Sequence, residues 1–314
     1  MAGFMPDEAV IAGVRKELEA YEQARQAASR STRWQVPLFI GLLLIVVVLL
    51  AYLLNALADP NEQWLSTLHV YLYAGAFVAA LFLYLRARKP AEASRVSLRA
   101  RLLPIVFGFV GDMRFSKGGT PASFDRLPRD TVGDFDHSQF DDIIAGTYEG
   151  FAFELYETVL SRTGKGAATL FDGVIVAFEM QKAFPGELIA TLKSNAVMGF
   201  FREIFGGGMV EIAAGVAQLD AAYDFRTDNA DAAQPLVSGQ MAQALTWLKE
   251  AWPGEQARIA IKGKDGFLLL PAKKDFFELP HPDAAIDYKT HVEPMIADLA
   301  TMLAITALVR KIGA

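Results

Sequence analysis

The stretch VPLFIGLLLIVVVLLAYLLNALA, Val36–Ala58, decides the architecture of this chain of 314 residues. It holds 20 apolar residues in 23 positions, and Leu65–Leu85 holds 17 in 21, without a charged residue in either. A bilayer core of roughly 30 Å is crossed by about 20 apolar residues of helix. Both stretches therefore predict membrane-spanning helices. The connection Asp59–Trp64 is short and polar, so we expect the two spans to form an antiparallel hairpin.

The two stretches also explain why 53% of the chain is apolar. Without them the apolar share falls to about 48%, the level of an ordinary soluble domain. The sequence thus predicts a small membrane hairpin with a water-soluble domain attached, and it argues against a polytopic transporter. We expect four parts: a cytoplasmic amphipathic helix in residues 1–34, the hairpin in 35–86 with spans at about 36–58 and 65–85, a linker helix in 87–111, and an α+β domain in 112–314.

Basic residues flank the spans on one side only. Arg25, Arg30 and Arg33 precede the first span, six more lie between Arg86 and Arg101, and the connecting loop has none. Because cytoplasmic flanks carry the excess of Lys and Arg, this pattern predicts a multi-pass protein of the inner (cytoplasmic) membrane, with the N-terminus and the C-terminus in the cytoplasm.

Charge and cysteine content exclude several function classes. Residues 1–101 hold 11 Lys and Arg against 8 Asp and Glu, which leaves a net charge of −9 on the remainder of a chain whose total is −6. A domain this acidic repels a phosphate backbone, so we expect no nucleic-acid partner. The chain has no cysteine, which rules out disulfides, thiol catalysis and cysteine-bound metal.

The soluble part reads as an α+β domain built on a mostly antiparallel sheet, with packed helices and a long C-terminal helix. Alternating apolar residues predict its strands, with Glu149, Glu154 and Glu157 facing outward or toward a sheet edge, and spacing of three and four predicts its helices. The expected elements are strands at Gly146–Leu160 and Thr169–Met180, a turn at Pro185-Gly186, a helix at Phe200–Phe205, a helix with Met241, Leu245, Leu248 and Trp252 on one face, a hairpin of Ala257–Lys262 and Phe267–Leu270, and a helix at about Ala284–Lys311.

Ahead of the spans, Pro6–Ala28 predicts an amphipathic helix with Val10, Val14, Leu18 and Tyr21 on one face. The pattern leaves two interpretations open. The stripe either docks on the soluble domain or on a second copy, or it belongs to a solvated helix that extends the first span.

The soluble part resembles the bacterial membrane proteins catalogued as domain of unknown function 3137. The similar stretches, spread over most of residues 95–312, are Gly146–Glu154, Leu170–Val176, Phe184–Glu187, Tyr223–Asn229 and Lys264–Phe267. The resemblance implies the same paired N-terminal spans and no established activity, substrate or cofactor.

Two groups of side chains could hold a metal, since carboxylates suit hard cations and histidine suits zinc. One is Asp130, Asp134, Asp136, His137, Asp141 and Asp142; the other is His281, Asp283, Asp287 and His291. Neither has the spacing of a known metal site, and most of these residues suit turns or helix caps. We therefore expect no metal, cofactor or catalytic residue, with Asp134, Asp136, His137, His281, Asp287 and His291 as the only metal candidates.

The sequence accordingly favours a non-enzymatic, membrane-anchored cytoplasmic interaction or scaffold domain, held in the lipid bilayer by two helices, that binds a protein partner or itself. Two alternatives stay open. One is a membrane sensor that binds a small ligand between the sheet and the terminal helix, and the other is a metal-dependent hydrolase.

Overall fold

The structure is a computed structural model, and it describes residues 8–57, 67–164, 166–193, 208–252, 256–278 and 284–312. The chain divides into two compact units. One contains Asp7–Val106 and Leu279–Val292, and the other contains Phe107–Glu278 and Glu293–Ala314 together with the first six residues.

The first unit is built on two long helices, α1 (Glu8–Leu57) and α2 (Thr67–Val106), which contact each other. His69 of α2 is fully buried, and its Nε2 lies 3.1 Å from the backbone oxygen of Ala51 in α1. A hydrogen bond of this kind satisfies a polar side chain that apolar surroundings cannot solvate. The predicted loop Asp59–Trp64 lies outside the described residues.

The N-terminal part of α1 uses its apolar stripe for packing. Val14, Leu18 and Tyr21 are buried, and α1 contacts a single turn of π-helix, Tyr288–Val292. The guanidinium of Arg15 lies 5.7 Å from the centre of the Tyr288 ring, at cation–π distance. The stripe is therefore covered by protein and does not belong to a solvated helix.

The second unit contains a seven-stranded antiparallel sheet. Its hydrogen-bonded order is β1-β2-β3-β4-β6-β5, and β7 also pairs with β4. The strands are β1 (Gly111–Lys117), β2 (His137–Tyr148), β3 (Phe151–Arg162), β4 (Ala168–Leu192), β5 (Val210–Ile212), β6 (Tyr223–Thr227) and β7 (Arg258–Pro271).

Strand β4 is the longest, with 25 residues, and it pairs with three others. Its first half pairs with β3 and its end, Leu188–Leu192, pairs with β6, while β7 runs along it from Gly173 to Ala190. The turn predicted at Pro185-Gly186 is wrong. The strand continues through these residues with shifts of register on either side of Phe184, because the pairing with β7 resumes beyond them.

The strand predicted at Gly146–Leu160 is two strands joined by a tight turn. Glu149 and Gly150, with φ of 44° and 79°, separate β2 from β3, and Tyr148 pairs directly with Phe151. Two consecutive residues with positive φ match the twist of a two-residue hairpin, and glycine adopts that conformation freely. Tyr148 and Phe151 are three residues apart, so the period-two alternation breaks at this turn, and the Gly150 position is the signal for it in the sequence.

The hairpin predicted for Ala257–Lys262 and Phe267–Leu270 is also wrong. Both halves belong to β7, which crosses Gly263–Gly266 without reversing. Gly263 has a φ of 57°, and the local irregularity fits the shifts of register in β4 opposite it. A continuous partner strand thus overrides a local turn signal.

Helices complete the unit. They are α3 (Ala217–Ala222), α4 (Ala230–Leu236) and α5 (Ala242–Ala251), with the last two joined by the π-helical turn Val237–Met241, and the C-terminal α6 (Glu293–Val309). The expected α+β class with a long C-terminal helix is confirmed, although that helix begins later than Ala284. Ile296, Leu299 and Leu303 of its predicted stripe are fully buried. The helix predicted at Phe200–Phe205 lies outside the described residues.

Three helical segments among the described residues are long and apolar enough to cross a membrane: Pro37–Ala56, Thr67–Leu85 and Tyr288–Val309. Protein covers only 6% of the window in each of the first two but 61% in the third. The third segment therefore buries its apolar side chains against protein, whereas the first two leave theirs exposed. Composition alone does not separate a span from a core helix, but burial does.

Backbone packing between β4 and β7 gives a direct test of the fold. A Cβ atom added at Gly173, where φ is 152°, would lie 2.3 Å from the backbone oxygen of Leu270 and 2.7 Å from the backbone nitrogen of Ala272. We expect Gly173→Ala to lower the free energy of unfolding by about 2 kcal/mol or more, because neither backbone can move freely. Urea unfolding followed by tryptophan fluorescence measures it.

The matched control is Gly239→Ala, in the helical turn before α5, where an added Cβ meets nothing within 4 Å. This variant should keep or slightly raise stability. Equal stability of the two variants would contradict the close approach of β4 and β7.

Candidate functional site

Three carboxylates from distant parts of the chain meet at one place in the second unit. Asp141 lies on β2, Glu157 on β3 and Asp275 just after β7, and each offers an oxygen within 4.8 Å of the others. The pairing of β2 with β3 shifts register between Phe140 and Ile143, which is the signature of a β-bulge. Because a bulge redirects side chains, it explains how both Asp141 and its neighbour in sequence are accommodated next to Glu157.

The surroundings of the carboxylate cluster (Asp141, Glu157 and Asp275) are partly buried. Glu157 is only 8% exposed, and its Oε1 accepts a hydrogen bond of 2.7 Å from the backbone N–H of Phe276. Asp141 forms an ion pair with Lys117, whose Nζ lies 3.2 Å from its Oδ1. Asp142, which follows it, is fully buried.

Burial raises the pKa of Glu157 to about 8. The negative charge of Asp275 adds to this effect, and Asp142 and Asp141 contribute further. The Phe276 N–H acts in the opposite direction, because it stabilises the carboxylate. At neutral pH Glu157 therefore retains a proton, which relieves the repulsion among the three acids.

Chemically, the cluster is a set of oxygen donors of the kind that hard cations such as Ca²⁺ prefer. The same oxygens also suit proton sharing among acids, which the raised pKa of Glu157 favours. Within the described residues the cluster has no histidine and no hydroxyl nucleophile among its three members. The geometry therefore supplies oxygen donors for a cation or for a shared proton.

The acidic stretch predicted as a metal candidate contributes only Asp141 to this cluster. Asp136 accepts hydrogen bonds from the backbone N–H and the hydroxyl of Thr163, at 2.9 and 2.8 Å, and these bonds lower the pKa of its carboxyl. His137 begins β2 and is exposed, and the backbone oxygen of Asp134 accepts from Arg162. These residues organise the entry to β2.

In the second predicted group, the described residues Asp287 and His291 take part in a helix cap. Asp287 accepts from the backbone N–H and the hydroxyl of Thr290, both at 2.9 Å, which lowers the pKa of its carboxyl. Its own backbone N–H donates to Nδ1 of His291 at 3.0 Å. The bonds satisfy groups at the start of the terminal helix. His281 and Asp283 lie outside the described residues.

Sequence reasoning missed Glu157 and Asp275, and the prediction that Glu157 faces outward or toward a sheet edge is wrong. Its neighbours Tyr156 and Thr158 are also buried, so period-two alternation breaks down where β3 is covered on both faces. The sequence does offer one signal for Glu157. It is a carboxylate within a mostly apolar run, and such a run is typical of a strand covered on both faces. Asp275 carries no such signal, because only the β4–β7 pairing brings it near β3.

The hairpin presents the other candidate surface. Of the 26 large hydrophobic residues that are exposed in the described structure, 21 lie between Leu38 and Leu85. Soluble proteins rarely expose contiguous apolar patches of this extent. The outer surface of the two helices thus requires an apolar environment.

The raised pKa of Glu157 makes the stability of the fold depend on pH. Because its pKa lies near 8 when folded and its ordinary value is 4.5, the folded chain binds this proton more tightly. The resulting stabilisation is complete below about pH 4.5 and is lost as the pH rises through 8. Glu157→Gln, which keeps an oxygen for the Phe276 N–H and is uncharged like the protonated acid, should match the wild type at pH 4, where this stabilisation is complete, and melt at least about 3 °C higher at pH 9.

Differential scanning calorimetry at the two pH values measures this difference. Glu211→Gln is the control, because Glu211 lies exposed on β5 and should show the same melting temperature as the wild type at both. If the difference in melting temperature between Glu157→Gln and the wild type were the same at pH 4 and pH 9, the proton would not reside on Glu157.

The family described as "Protein of unknown function (DUF3137)" matches residues 169–311, which begin at the start of β4 and include α6. No curated protein sequence matches the chain. A solved structure, the mycobacterial trehalose monomycolate transport factor A, TtfA, aligns over 62% of this chain and 88% of its own, with 9% identity and a TM-score of 0.35. A likeness at this level carries no information about the activity of this chain. The match over residues 169–311 thus confirms, for that part of the chain, the resemblance to this family that the strand and turn motifs predict.

Proposed function

We propose that the protein is a membrane-anchored interaction domain. Its hairpin would hold it in the inner membrane with both termini in the cytoplasm, and its α+β domain would bind a protein partner or a second copy without catalysing a reaction. The single observation that carries the proposal is the exposed apolar surface of α1 and α2.

The transfer of exposed apolar side chains from water into lipid favours anchoring. Val46 and Phe77, near the middle of the two apolar segments, are 43% and 71% exposed, and only lipid would remove such residues from water. Each buried side chain of this size contributes about 1.5–3 kcal/mol, so a hairpin of this length inserts stably. The basic flanks from Arg25 to Arg33 and from Arg86 to Arg101 favour cytoplasmic termini.

The open edge of the sheet and the negative charge of the soluble part favour an interaction role. Within the described residues, β1 pairs with β2 along one edge and with no strand along the other. An open edge can add a strand from another chain. The net charge of −9 beyond residue 101 favours a partner with a basic surface, and tethering to a membrane raises the local concentration so that weak contacts suffice.

Anchoring predicts that charges at mid-span release the protein from the membrane. Arg at the centre of a span costs roughly 2.5–3.5 kcal/mol on insertion scales, so Val46→Arg combined with Phe77→Arg should strongly reduce the fraction that stays in the pellet after alkaline carbonate extraction.

The matched control places charges at the basic ends of the same spans, with Leu38→Lys and Leu85→Lys. These long side chains can reach the interface, so this variant should stay in the pellet. In the wild-type chain, a reporter fused after Ala314 should be active in the cytoplasm only. Full extraction of the wild type by carbonate, or an external reporter, would contradict the proposed anchoring or orientation.

The interaction role predicts a specific complex in native membranes. Chemical crosslinking followed by affinity purification should recover a defined protein partner or a second copy, with lower yield at 0.5 M salt because exposed charges are then screened. The variant with Arg at residues 46 and 77 should lose most of the complex. Clean purification of the wild type without a partner and without self-association would count against an interaction domain.

A further inference from the structure

A cavity of about 220 Å³ opens in the second unit, and none of the three acids of the carboxylate cluster lines it. Its walls come from α3, α5 and the start of β6, and they are mainly apolar. Leu219, Leu245 and Leu248 line it and are almost fully buried. The cavity is therefore a preformed apolar recess of the size that a small molecule with one ring fills.

Trp252, at the end of α5, forms a fixed part of the wall. Its Nε1 donates to the backbone oxygen of Pro271 at 3.0 Å, so the indole is held in place and its own polar atom is already satisfied. The ring thus offers a rigid apolar and polarizable surface to whatever enters the cavity.

Tyr223 also lines the cavity, and its hydroxyl is different. The residue is only 6% exposed, and no described residue forms a hydrogen bond with its hydroxyl. Its oxygen is not among the fully buried polar atoms that lack a partner, so solvent, and hence a small ligand, can reach it. Burial also raises its pKa to about 12, so the hydroxyl keeps its proton and can donate.

Among the described residues that line the cavity, Lys249 is the only charged one. It is exposed, and it forms no ion pair with a described residue. A single positive charge at the rim of an apolar recess favours a ligand with one negative charge.

We propose that this cavity binds a small apolar monocarboxylate. The apolar body would lie between the leucines and Trp252, and the carboxylate would take the free donor of Tyr223 and the charge of Lys249. This arrangement satisfies both unused polar groups with one ligand group. It assigns the domain a ligand site that is separate from its membrane anchor and from its sheet edge, and that lies elsewhere than the space between sheet and terminal helix.

The probe is 3-phenylpropanoate, whose ring and short chain suit the cavity volume. For a ligand of this size we expect a Kd on the order of 0.1–1 mM. Isothermal titration with the full chain in detergent measures it. The cationic analogue 3-phenylpropylamine, equal in shape, should bind at least about tenfold more weakly, because it meets Lys249 with like charge.

Two conservative variants test the polar groups. Tyr223→Phe keeps the ring and removes the donor, and it should weaken binding of the carboxylate about tenfold. Lys249→Gln should weaken it several-fold in low salt, whereas Lys182→Gln, an exposed lysine on β4 outside the cavity, should leave it unchanged. Tyr223→Phe preserves the shape of the side chain, and Lys249 lies at the surface, so we expect both variants to fold. Their melting temperatures verify this.

Three results would overturn the proposal. One is equal or tighter binding of the amine, and another is unchanged binding in both Tyr223→Phe and Lys249→Gln. The third is no binding of 3-phenylpropanoate at about 10 mM, well above the expected Kd. In that last case, binding of the acidic peptide Asp-Phe-Asp would identify the cavity as a receptor for a protein side chain.

Discussion

The pairing of β4 with β7 is the contact on which the rest of the soluble unit depends. It runs from Gly173 opposite Pro271 to Ala190 opposite Ile259, and β3 and β6 attach to the other edge of β4. The backbones approach so closely at Gly173 that no side chain fits there. Shortening this ladder would release β7, and with it Asp275 of the carboxylate cluster and the Pro271 oxygen that holds Trp252 in the cavity wall.

Much of the architecture could be predicted from local patterns. The uncharged apolar run from Val36 and the stripe through Ile296, Leu299 and Leu303 are strong signals, because each repeats over several turns of helix. The strands around Tyr148 and Gly263 were harder. Whether a glycine reverses the chain depends on the partner strand, and the partners of β7 lie about 80 residues earlier in the chain. Register is a property of pairs, so a single strand does not encode it.

The sites were less predictable than the fold for the same reason. Asp141 could be singled out by its acidic neighbours, but Glu157 looked like an outward residue of an alternating strand and Asp275 like part of a loop. Tyr223 and Lys249 come from a strand and a helix with no shared motif. Conversely, Asp136 and Asp287, two of the metal candidates from the sequence, accept hydrogen bonds from the backbone N–H groups of Thr163 and Thr290. Acidic residues near turns and helix starts are favoured for this structural purpose, whereas the carboxylate cluster and the cavity arise from contacts between segments distant in sequence.

The position of α6 in the chain has a consequence for biosynthesis. This helix supplies fully buried side chains such as Leu299 and Leu303 to the core, yet it follows every strand of the sheet in sequence. During synthesis the strands emerge with their apolar faces uncovered, at a time when both spans are already available for insertion. Exposed strands of this kind are prone to aggregation until the covering element arrives. Early insertion of the hairpin would hold each nascent chain at the membrane surface and apart from others in the cytoplasm, so the anchor would act as a folding aid before the finished domain binds anything.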